Sequence, residues 1–74
     1  MPTGSSLPRE YFVTTTLGGS FRHFHGPRLD GQIDSALKGR IQILEHGVAV
    51  WGLQREDSRT VIPWSQVQII EEVF

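Results

Sequence analysis

Seventy-four residues make one small domain, and a chain of this length buries only about 60% of the surface its unfolded form exposes, so self-association is a natural supplement to its core. With no cysteine, neither a disulfide framework nor a thiolate zinc site can staple it, which points to an intracellular protein. A net charge of −1 and a pI near 6.2 deny it the basic field of a phosphate-holding domain, although six of its seven basic residues are Arg, suited to planar contacts and to stacking.

No apolar run approaches the roughly 18 residues that span a bilayer, and MPTGSSLPRE lacks the apolar segment of a signal peptide. The expectation is a soluble, cytoplasmic protein without membrane contact. Residues 1–8 carry two prolines, a glycine and small polar residues with only Leu7 to bury, and read as a flexible tail ahead of a single domain over 9–74.

From Tyr11 the chain is aromatic and β-branched. YFVTTTL and SFRHFH flank Gly18-Gly19, a two-residue hairpin connection able to take positive φ at both positions. That turn sets Leu17 opposite Ser20, Thr16 opposite Phe21 and Val13 opposite Phe24. One face then carries Tyr11, Val13, Thr15, Leu17, Arg22 and Phe24, and the other Phe12, Thr14, Thr16, Phe21, His23 and His25; neither is cleanly apolar. Residues 26–39 are interrupted by glycine and proline and read as a long connection, in which Asp34 caps at most one helical turn and Gly39 closes it in the left-handed conformation.

RIQILEHGVAVWGL is a hairpin turning at Glu45, His46 and Gly47, and QREDSR is a polar loop. A last hairpin arm starts at Arg59. In the final strand Val67, Ile69, Glu71 and Val73 share one face, apolar as far as Ile69, against Gln68, Ile70 and Glu72. The fold class is all-β: a small five- to six-stranded antiparallel barrel or sandwich built from hairpins, with at most one helical turn.

TVIPWSQVQII, residues 60–70, holds the sharpest local signal. Pro63 has no N–H for a strand ladder, and only Pro63, Trp64, Ser65 and Gln66 separate Ile62 from Val67. A single 3₁₀ turn rounds such a corner and returns Val67 and Ile69 to the core. This strand, proline-led turn and short last strand resemble the closure of five-stranded barrels of the Sm-like and Src-homology types. The resemblance implies that fold; the Sm-like base-reading pattern needs an Asn that this chain lacks altogether, so its RNA-reading residues do not carry over.

His23 and His25, two apart on a strand, project from one face as in strand-borne metal sites. No third ligand is placed beside them from His46, Asp30 or Asp34, so neither metal nor other cofactor is expected and the pair reads as a solvated or interface face. No Ser and His pairing or nucleophile elbow is present, and adjacent Glu71 and Glu72 point to opposite faces, so the protein reads as non-catalytic. Phe21, Arg22, His23 and Arg28 interleave aromatic and basic groups as single-stranded nucleic acid requires. VAVWGL, apolar on both faces, exceeds what one side of a small barrel needs, and a neighbouring chain is the simpler cover. The main expectation is an interaction module bound to a protein partner or to itself as a homo-oligomer, through Trp51, Trp64, Val50 and Leu53. Nucleic-acid binding is the alternative, and a metal site built on His23 and His25 is the weaker one.

Overall fold

A computed structural model describes residues 7–29 and 38–74. Six strands appear in chain order: β1 (Glu10–Leu17), β2 (Ser20–Pro27), β3 (Ile41–Ile43), β4 (Gly47–Trp51), β5 (Arg59–Pro63) and β6 (Val67–Val73). They form two antiparallel three-stranded sheets, ordered β2-β1-β6 and β3-β4-β5, joined by a parallel bridge between Arg28 and Ile41. The fold is all-β, as the hairpin signals predict, and the sheets stack like a sandwich without closing into a barrel.

Gly18 and Gly19 take φ of 60° and 82°, the left-handed pair that a two-residue hairpin needs. The register follows from it: Leu17 faces Ser20, Thr16 faces Phe21 and Val13 faces Phe24. The core then decides which face turns in. Tyr11 and Val13 of β1 meet Ile41, Val48, Val50 and Ile62 of the other sheet, with Phe24, Val67 and Ile70 packed against them. Each buried aliphatic side chain there contributes about 1.5–3 kcal/mol of transfer free energy. Thr15 is also fully buried, its hydroxyl donating to the Arg22 carbonyl at 3.4 Å, a long and weak bond.

Two expectations need correction. Within VAVWGL, Val48, Ala49 and Val50 are covered by the chain's own fold, while Trp51 is only half-buried and Leu53 is exposed. Val48 and Val50 enter the core, whereas Ala49 lies between Gln42 and Val61, whose longer side chains shade it. Val50, expected at an interface, is only 5% exposed and belongs to the core.

The second correction concerns β6. A 3₁₀ turn over Trp64–Gln66 follows Pro63 and is closed by the Val67 N–H on the Trp64 carbonyl. Val67 then rejoins the core, but Ile69 does not. The register shifts between Thr14, opposite Ile69, and Thr15, opposite Val67, leaving Gln68 as the extra residue of a bulge. A one-residue insertion reverses the parity of everything after it, so Ile70 packs inward and Ile69 is 55% exposed.

The helical turn capped by Asp34, like residues 1–6 of the tail, lies outside the described residues. Within them Gly39 has the expected positive φ, 82°, and Pro8 is buried with its carbonyl accepting Arg28 Nε at 2.7 Å. Among the described residues no helix is long and apolar enough to cross a membrane.

Candidate functional site

Two surfaces stand out. The first is the outer face of the β2-β1-β6 sheet, whose register sets Phe21 beside Thr16, His23 beside Thr14 with Ile69 on the far side of Thr14, and His25 beside Phe12 with Glu71 on the far side of Phe12. Phe12, Phe21 and Ile69 are exposed there. The Phe12 and His25 rings stack with centroids 4.1 Å apart and planes 7° from parallel, and His25 Nε2 donates to Glu10 Oε1 at 2.6 Å. Thr14 Oγ1 and His23 Nδ1 share a hydrogen bond of 3.1 Å. Both imidazoles therefore already have protein partners.

The second surface is an open groove of about 290 Å³ between the β2 edge and the end of β4, lined by His23, Phe24, His25, Lys38, Gly39, Val50, Trp51, Gly52 and Leu53. Its lip is held by backbone: Gly39 N–H donates to the Trp51 carbonyl at 2.8 Å, and Trp51 N–H to the Arg40 carbonyl at 2.9 Å. Next to the lining residue His25, β2 runs close against this lip, since a Cβ on Gly26 would collide with the Gly39 carbonyl. Glycine is required at that close approach.

The groove gathers three residues expected at an interface, Trp51, Leu53 and Val50, the last as part of its core-side lining. Trp51 is half-buried, its indole N–H donating to Gln42 Oε1 at 3.2 Å; Arg59 Nη1 reaches the same oxygen at 3.0 Å, with its guanidinium 5.8 Å from the Trp51 ring centroid. Trp64 lies elsewhere. It is 41% exposed, and its N–H donates to the Glu45 carbonyl at 2.9 Å, so it ties the 3₁₀ corner to the β3–β4 turn.

Of the nucleic-acid candidates, Phe21 and His23 share the outer face. Arg22 stands on the opposite side of β2, paired with inward-facing Thr15, and Arg28 lies past the strand's end beside Pro8. The cations are thus separated from the aromatics, and the carboxylates Glu10 and Glu71 take their place. His23 and His25 do share a face, but among the described residues no group of three or more potential ligands can hold a metal ion. Asp30 and Asp34 lie outside the described residues.

At the inner end of the first sheet, burial raises the Tyr11 hydroxyl pKa above 10.0; the Arg28 charge opposes this and Glu72 adds to it. Sequence reasoning missed Ile69 on the outer face, hidden by the bulge, and the Lys38 and Gly39 lip, which no local pattern announces. Set against protein-family models, curated proteins and solved structures, the chain matches none.

Proposed function

We propose that the chain is a non-catalytic interaction module that docks on another protein through the groove between β2 and the end of β4. The observation that carries this reading is the meeting of Trp51, Leu53 and Phe24 around one open concavity beside a strand edge that is unpaired among the described residues. Interface energy concentrates in buried aromatic anchors, and a concave apolar site is where such an anchor is received. The corner over residues 60–70 is similar to the closure of Sm-like or Src-homology small barrels, although the two sheets do not close into one, and the function rests on the groove, since fold alone does not assign it.

Selection of a displayed random-peptide library on the full chain tests the reading. Peptides should enrich that lose at least about tenfold in affinity, or about 1.4 kcal/mol, on Leu53→Asp and Trp51→Ala. Enrichment of nothing, or of peptides indifferent to both changes, overturns it. Light scattering separates partner from self: a mass near 8.3 kDa fits a foreign partner, and a larger mass abolished by Leu53→Asp makes the occupant a second copy.

A second reading, single-stranded nucleic acid on the outer face, draws on the grouping of Phe12, Phe21, His23 and His25 there. With Glu10 and Glu71 on that face and neither Arg nor Lys among its paired residues, phosphate is disfavoured. Salt-sensitive binding of an oligothymidylate lost in Phe21→Ala is the result this second reading requires.

A further inference from the structure

β2 is an edge strand, and its hairpin geometry determines what the edge offers. With the turn closing on Leu17 and Ser20, the pairs Thr15 with Arg22 and Val13 with Phe24 exchange backbone hydrogen bonds across the ladder. The intervening Phe21, His23 and His25 point their N–H and C=O groups away from β1. Among the described residues no strand pairs with this row, and such a row is a template for another strand. The same residues, His23 to His25, form one wall of the groove.

From this we infer that the groove takes an extended segment of a partner protein, added as a strand to the β2 edge, with apolar side chains alternating with carboxylates. The inference rests on the docking reading above and names the occupant of that site. Strand alternation sends every second side chain of the segment toward Phe24 and Leu53, where an apolar group is accommodated, and the others to the outer side next to Phe21, His23 and His25, with Glu10 one strand further in and Glu71 two. The preference for carboxylates comes from charge. Among the described residues no Asp or Glu lines the groove, whereas Lys38 and two histidines do. Glu10 is engaged by His25, and Thr14 holds only Nδ1 of His23.

Calorimetric titration of the full chain with a blocked hexapeptide alternating valine and glutamate, and with its valine and lysine counterpart, tests this. The acidic peptide should bind at least about tenfold more tightly than the basic one, and less tightly as salt rises. His23→Pro removes one edge N–H while leaving the β1 ladder intact, and should weaken binding about tenfold or more beyond His23→Ala, which keeps that N–H and removes only the imidazole. Leu53→Asp, at an exposed position, provides an independent loss. Equal binding of both peptides, no binding of either, or binding that survives His23→Pro and Leu53→Asp overturns the inference, as does tighter binding of an oligothymidylate. Library peptides sensitive to Leu53→Asp but lacking the acidic–apolar alternation overturn the strand addition alone and leave the docking reading standing.

Discussion

The central strands of the two sheets, β1 and β4, solve the same problem differently. β1 alternates: Tyr11, Val13 and Thr15 are buried while Phe12 stays exposed. In β4, Gly47 through Val50 are buried without interruption. The difference lies in side-chain size on the outer face. Gly47 and Ala49 are too small to reach solvent past Gln42, Val61 and Pro63, whereas Phe12 on β1 overtops its neighbours. An apolar run therefore does not by itself imply a missing partner; a large residue on the polar side of an alternating strand is the better sign of open surface.

The most severe way to break the comparison is in β4 and its neighbour. Ile62→Ala should cost about 2–5 kcal/mol, a large share of the total stability of so small a domain, and urea denaturation should find it largely unfolded. Gly47→Ala should act similarly, because its Cβ would collide with the Ile62 carbonyl. Deleting Gln68 tests the bulge. Its removal leaves Val67, Ile69 and Ile70 opposite Thr15, Thr14 and Val13 in an unbroken ladder, so Ile70 should stay inward and amide exchange should show β6 protection retained or raised.

Smaller effects sharpen the contrast. Gln42→Ala removes the oxygen shared by Trp51 and Arg59 and should cost about 1 kcal/mol by denaturation, with a shift in tryptophan emission. On the open face Glu10→Gln should change stability by no more than about 1 kcal/mol, since solvent screens its contact with His25. Tyr11→Phe should matter only in alkali. Burial raises the folded-state pKa, so the unfolded chain releases this proton first and wild-type stability falls as pH climbs above about 10; the variant should lack that component in a pH series of melts.

Much of the fold is legible locally. Gly18-Gly19 dictates the first hairpin and its register, and Pro63 with three following residues dictates the corner, because φ restrictions and missing donors act within a few residues. The candidate site is legible only in part: Trp51 and Leu53 are named by type and place, Phe12 and the histidines by strand parity. Ile69 is misread because a bulge leaves no mark in the alternation of VQIIEEV.

By itself the sequence determined an all-β chain, its turns and the parity of its first two strands, all set by short-range sterics and hydrogen bonding. Only the tertiary structure decided that β4 is covered from within, that Ile69 faces out, and that His23 and Leu53, thirty residues apart in the chain, share a groove. These depend on which distant side chain casts its bulk over which neighbour, and on how two sheets meet.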